Sequence, residues 1–283
     1  MPHHRLARLA LLATGLVALA NSAAAASPPS LATPDITQVL NIRGDQQVSH
    51  AKGYQSLGSG DSKGSTSGSS TVTLGSNPSV STDMAEQTRN IGAAAGLHGG
   101  STYSQLIYQF AYFNPDGGYG NVAVHVNAFD NVHASASGIS ASATAESFLE
   151  ISGGGFSTYL NHCAGADTAG RTPCGNKGTA AILPFDLTLK QNTVYTVRLR
   201  VDAQSIANYE LAGLSQASAW AELAIPGLSV IGTSPSGGRF VFSEGITPVP
   251  EPASWALMMG GMGLVAGAAR RRRKAAPVAG GLE

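Results

Sequence analysis

The chain has little charge, few aromatics, almost no cysteine and few helix-length amphipathic patterns in its body. Charged residues are only 12% of its 283 residues, about half the share of an ordinary soluble domain, which excludes long ion-paired helices. Its formal charge of zero is a cancellation between ends and middle. Two of the 17 basic residues lie in the first 26 positions and five in a block near the C-terminus, whereas of the 17 acidic residues only Glu283 lies beyond Pro252. The body between therefore carries about −6, the wrong sign for a nucleic-acid binder. No Walker loop, dinucleotide fingerprint or His-Glu-x-x-His zinc motif occurs, so the chemistries those motifs perform have no sequence support. No repeat of fixed period stands out, which argues against a solenoid or propeller.

Two features at the ends stand out against this background. At the N-terminus, His3, His4, Arg5 and Arg8 form a basic start, residues 9–20 are apolar, and residues 23–26 are a run of alanines. This is the order of a secretory signal peptide over 1–26, with cleavage expected after Ala26. At the C-terminus, Val249-Pro250-Glu251-Pro252 precedes the uncharged run 253–269 and then Arg270-Arg271-Arg272-Arg273-Lys274. As a helix that run would be about 25 Å long, at the short end for a bilayer core of about 30 Å, and the arginines can snorkel to extend its reach. Trp255 suits the outer interface, and the five cations fix the orientation with residues 275–283 as a cytoplasmic tail. Two prolines keep the Glu251 segment extended, because proline fixes φ and disfavours helix in the residue before it.

This tail resembles the PEP-CTERM sorting domain, over residues 249–274. The Pro-Glu-Pro of that family falls on Pro250, Glu251 and Pro252, and its basic stop on Arg270, Arg271, Arg272 and Arg273. The resemblance implies export by a Gram-negative bacterium through the secretion translocase, with signal peptidase acting at the front of the chain. It implies a membrane-anchored intermediate and recognition by an exosortase, a membrane enzyme with a cysteine nucleophile. Delivery to the cell surface or extracellular matrix follows, in association with exopolysaccharide and biofilm. The stretch beyond the cations is longer than the usual few residues.

Between the ends, 27–248 reads as an exported all-β body, an antiparallel β-sandwich or jelly-roll-like fold. Residues 107–113 alternate as a strand, Asn114-Pro115-Asp116-Gly117-Gly118 is a turn, and Val122, Val124 and Val126 begin a second strand, so a hairpin is expected there. Residues 181–189 and 194–203 make the clearest pair. In the second, Tyr195, Val197, Leu199 and Val201 point one way and Thr196, Arg198, Arg200 and Asp202 the other. Residues 133–151, 218–225 and 239–243 supply further strands, and 36–50 a strand or loose chain. The Gly/Ser-rich stretch 56–71 is expected to be a flexible loop. One weak helix is expected over 83–95.

Candidate chemistry in the body is sparse. Cys163 and Cys174 are an even pair in an exported chain, which favours a disulfide; zinc is the rival, but only His162 is adjacent. His125 and His133 invite a metal hypothesis without a third ligand. Glu146 and Glu150 have the form of a glycosidase carboxylate pair but also of an ordinary strand face. Asp116 could offer oxygen to calcium, or simply serve the turn. Tyr103, Tyr108, Tyr112 and Tyr119 are candidates for a sugar-binding cluster or for packing. The sequence therefore predicts a non-enzymatic exported protein with no cofactor and no metal. The alternatives are a carbohydrate-binding module or a carbohydrate-active enzyme carrying the same tail.

Overall fold

The computed structural model describes residues 26–61, 63–89, 97–171, 173–175, 178–208, 214–233 and 237–247. The expected signal peptide up to residue 25, the Pro-Glu-Pro motif, the apolar run and the basic block lie outside the described residues.

The described chain is all-β, with thirteen strands and no helix among the described residues. They are β1 (Asp35–Ile42), β2 (Asp45–Ser49), β3 (Gly53–Asp61), β4 (Gly64–Thr73), β5 (Ser79–Arg89), β6 (Leu97–Phe113) and β7 (Asn121–Ser137), followed by β8 (Ala141–Gly153), β9 (Phe156–Asp167), β10 (Phe185–Lys190), β11 (Val194–Asn208), β12 (Leu214–Val230) and β13 (Arg239–Phe242). They form two facing antiparallel sheets. One runs β2-β1-β6-β11-β8-β9, with β13 also on β6; the other runs β10-β7-β12-β5-β4-β3. The antiparallel sandwich expected from the alternation is therefore present.

Only β1–β2, β3–β4–β5 and β8–β9 follow one another as sheet neighbours; the other connections cross between sheets. Two expected pairings fail for this reason. β6 and β7 are not a hairpin: β6 lies between β1 and β11, while β7 lies between β10 and β12. Likewise β10 and β11 lie in opposite sheets. In both cases the turn reverses the chain across the core, which alternation alone does not distinguish from reversal within a sheet.

Two further expectations are corrected. The stretch 56–71 is not a loop but most of the β3–β4 hairpin, with Gly53 opposite Val72 and Asp61 opposite Gly64. Its inward positions on β4 are Thr66, Gly68, Ser70 and Val72. Three of these four are not apolar, so the pattern looks like linker, yet the hydroxyls find partners inside: Ser70 donates to Gln38 and Thr66 to Glu86. The expected helix over 83–95 is instead β5 up to Arg89, and residues 90–96 lie outside the described residues. Val80, Thr82, Met84, Glu86 and Thr88 all face inward at period two, and pairing to β4 and β12 overrides the helix propensity of Met, Ala, Glu and Gln.

The core is graded from end to end. At one pole, near residues 74–78, 114–120, 191–193 and 231–233, the filling is aromatic: Phe110 stacks on Tyr195 at 5.6 Å, and Tyr112 meets Phe240 edge-on at 5.3 Å. Toward the other pole, near residues 43–44, 61–64, 138–140 and 168–170, the filling is small or polar, with Ala141, Ala143, Ala207, Ala217, Thr88 and Ser205 buried. Small side chains let the sheets carry few aromatics and still close. Pro226 sits where the β12–β7 register shifts between Ala224 and Gly227, the bulge position at which a strand tolerates proline.

Candidate functional site

The outer face of the first sheet carries three of the body's candidate residues, Tyr103, Glu146 and Glu150. β11 directs Arg198, Arg200 and Asp202 outward because Tyr195, Val197, Leu199 and Val201 are buried at period two. Arg200 donates to both oxygens of Asp202, at 2.8 and 3.3 Å, and its guanidinium lies 5.1 Å over the Tyr103 ring. Registers β11–β8 and β11–β6 place Glu146 and Tyr103 on either side of Asp202. The result is a shallow depression of about 360 Å³ lined by Tyr103, Thr144, Glu146, Arg200, Asp202 and Gln204. It offers an aromatic edge, two carboxylates and an amide, which suits hydrogen bonding to a polyhydroxylated ligand.

It does not pair the two glutamates. Glu146 and Glu150 lie four residues apart on one strand, about 13 Å between Cα atoms, so their carboxyls reach a glycosidase spacing only by leaning toward each other. Each carboxylate also has its own partner: Glu146 accepts from Asn161 at 2.6 Å and Glu150 from Arg198 at 3.0 Å. The four tyrosines are not one cluster either. Tyr108 and Tyr112 are buried, Tyr103 lies on the outer face, and Tyr119 is 91% exposed in the 114–120 loop. His125 bonds Asp186 at 2.7 Å, and among the described residues no group of three His, Cys, Asp or Glu is placed to hold a metal. Asp116 occupies a turn in which its own N–H donates to Asn114 Oδ1 at 3.1 Å. The pattern Gly-x-Ser-x-Gly occurs at 60–64. There Asp61 and Gly64 pair as the ends of β3 and β4, with no helix following among the described residues as a nucleophile elbow requires, and Ser62 lies outside the described residues.

Cys163 and Cys174 are disulfide-bonded, with Cα atoms 5.9 Å apart. Beside them lies a carboxylate that the sequence reading missed. Asp130 has a fully buried side chain. It accepts from Ser147 at 2.5 Å and from the Ile182 N–H at 2.9 Å, and bonds His162 Nδ1 at 2.6 Å. It ties β7 of one sheet to β8 and β9 of the other. Both Ser147 and His162 bond the carboxylate rather than each other, so this is a staple and not a nucleophile–base relay.

A second buried cluster closes the small-residue pole. Arg43, in the β1–β2 turn, donates to Asp61 at 3.1 Å, to the Gly64 carbonyl at 3.2 Å and to His98 Nδ1. Glu86 has a fully buried side chain whose Oε2 accepts from Thr66; Oε1 has no hydrogen-bond partner and lies 3.4 Å from His98 Nδ1. Burial pushes the Glu86 carboxyl up to about 7, with the Thr66 hydrogen bond and Arg43 opposing. Burial holds the His98 imidazole below its usual range, aided by Arg43. Both carboxylates were findable as acidic residues in otherwise inward sets: Asp130 follows Val122, Val124, Val126 and Ala128, and Glu86 follows Val80, Thr82 and Met84.

By architecture, then, the described chain is a disulfide-bonded antiparallel β-sandwich with a polar outer depression and two buried acidic staples. A family model described as the PEP-CTERM protein-sorting motif matches residues 248–274. The chain thus carries that motif, over a stretch that includes Pro250, Glu251, Pro252 and Arg270 to Arg273. Such a motif implies export through a membrane-anchored intermediate to the cell surface, with an exosortase as processing partner. No curated protein and no solved structure matches the chain.

Proposed function

We propose that this chain is a non-enzymatic surface or extracellular-matrix protein of a Gram-negative bacterium, associated with exopolysaccharide, whose tail is removed by an exosortase. Pro250 and Glu251 form the recognition strip and Pro252 stiffens it. Residues 253–269 hold the membrane, and Arg270 to Arg273 keep the C-terminus inside. The match of the sorting motif to 248–274 is the observation that carries this reading. Support for a non-catalytic body comes from the separate partners of Glu146 and Glu150 and from the staple geometry of Asp130. Glu251→Ala is expected to leave a full-length membrane form. Intact mass of protein harvested outside the cell tests the same point: a mature chain that still contains Arg270 to Lys274 overturns processing.

The outer depression favours a second reading, a carbohydrate-binding module. Tyr103, Arg200, Glu146 and Asp202 would bind sugar hydroxyls there, and a glycan array probed with the mature body decides for or against it.

A further inference from the structure

Both ends of the described chain are fastened at the same pole of the sandwich. At the front, the Ala32 N–H donates to Gln109 Oε1 at 2.7 Å. At the back, Ser243 and Gln109 exchange hydrogen bonds: the Ser243 N–H donates to the Gln109 carbonyl at 2.9 Å, and the Gln109 N–H to Ser243 Oγ at 2.8 Å. Past Ser243, Ile246 is 5% exposed and makes a parallel bridge to Gly75. The Gly75 N–H donates to the Gly245 carbonyl at 2.7 Å, and the Thr247 N–H to the Gly75 carbonyl at 3.0 Å. The fold therefore grips the chain as far as Thr247, and the sorting motif begins at the next residue.

Chain length then limits where the body can be. From Thr247 to residue 253, where the apolar run begins, six residues span at most about 20 Å when fully extended. The strands run from pole to pole, and the 15 residues of β11 extend about 50 Å. A tether this short keeps that pole within about 20 Å of the membrane, while the opposite pole can stand a strand length away. The tethered pole also has the chemistry for that contact. Across the turns 74–78, 114–120, 191–193 and 231–233 the one charged side chain is Asp116, flanked at this pole by the exposed Lys52, Arg239 and Glu244, while Tyr119 is 91% and Ile231 44% exposed. Tyrosine is a residue of membrane–water interfaces.

We propose that, while the tail is attached, the pole bearing Tyr119 and Ile231 rests on the lipid headgroup layer and the Arg43–Glu86–His98 pole points away from it. This rests on the reading of 253–269 as a membrane segment. The two native cysteines form a disulfide and none is free among the described residues, so an introduced cysteine is a unique labelling site. The test uses the full chain in vesicles of phosphatidylethanolamine and phosphatidylglycerol containing a lipid with a nitroxide on its headgroup. A fluorophore is placed on Tyr119→Cys or Asn77→Cys at the tethered pole, and on Ile139→Cys or Ala169→Cys at the other. Quenching several-fold stronger at the tethered pole is expected; equal quenching at both poles overturns the proposal. Protection of Ala275→Cys from a membrane-impermeant thiol reagent reports insertion of the tail separately. A protected Ala275→Cys with equal quenching sinks only the lipid contact, whereas a reactive one sinks the sorting reading with it. Strong quenching at Tyr119→Cys that requires exosortase in the vesicle assigns the pole to the enzyme and also overturns the lipid contact.

Discussion

Replacing Glu86 by Gln should flatten part of the pH dependence of stability. Glu86 is fully buried, one of its oxygens has no hydrogen-bond partner, and burial raises its carboxyl from an ordinary 4.5 to about 7. Between those values the native state holds a proton that the unfolded chain has released. Stability from this group is therefore fully present below about pH 4.5, declines as pH rises, and is gone above about pH 7. At about 1.4 kcal/mol per pH unit the loss is on the order of 3 kcal/mol. His98 acts in the opposite sense: its native imidazole resists protonation, so its contribution is present above its ordinary 6.5 and is lost as pH falls. Glu86 and His98 thus pull the wild-type profile in opposite directions, and comparison with the variant isolates Glu86. Gln keeps the shape and can still accept from Thr66 while removing the titration. Urea unfolding of the mature chain, followed by Trp220 fluorescence at about pH 5 and about pH 8, measures this. Glu86→Gln should be the more stable protein at the higher pH, and its advantage should shrink toward the lower one. Parallel profiles for the two proteins would refute a proton held by Glu86 in the folded state.

Two other substitutions probe the elements most easily misread. Replacing both Cys163 and Cys174 by Ser frees a loop with a sequence separation of 11 and should cost about 3 kcal/mol on the chain-entropy estimate, read as a lowered urea midpoint; an unchanged midpoint would deny the crosslink a stabilising role. Within the Gly/Ser stretch, a Cβ at Gly68 would lie 2.7 Å from Thr102 Cγ2 and 3.1 Å from Met84 Sδ, whereas one at Gly58 would meet only the Thr66 carbonyl at 3.7 Å. Gly68→Val should destabilise by about 1–3 kcal/mol as an overpacked core site and Gly58→Ala by less than about 0.5 kcal/mol; equal, negligible effects in thermal melts would mean that the stretch is loose after all.

The parts of this fold that were legible in the sequence are those where burial acts on residues two apart. β11 is readable because Tyr195, Val197, Leu199 and Val201 are large, apolar and all turned to the core, while charge marks the other face. β4 and β5 obey the same geometry with hydroxyls, glycine and a glutamate on the inward side, so hydropathy hides them. Their inward polar atoms are satisfied mainly from other strands, Ser70 by Gln38 of β1 and Thr82 by Thr102 of β6. Such partners are 32 and 20 residues away and leave no local trace. Strand pairing was less readable still. A turn such as Asn114–Gly118 reports that the chain reverses, but not whether it returns beside itself or across the core. The choice is made by sheet-to-sheet packing, where Val122, Val124 and Val126 are buried opposite the first sheet rather than against β6.

The sorting tail is legible for the opposite reason. Its parts act in order along the chain and against a lipid bilayer, a solvent of fixed thickness and sidedness, so hydropathy, charge and proline spacing suffice to recognise it. What the sequence does not reveal is the point at which the fold releases the chain. Only the bridge between Gly75 and Ile246, formed by residues 171 positions apart, shows that no slack separates the sandwich from the motif. Gly75 holds that bridge with a φ of +92°, a conformation open chiefly to glycine, and burial of Ile246 adds about 2 kcal/mol to the grip. A body fastened this firmly cannot drift from the membrane before the tail is cut. On the proposed processing, removal of the tail therefore changes the position of the whole sandwich and not merely the length of its chain.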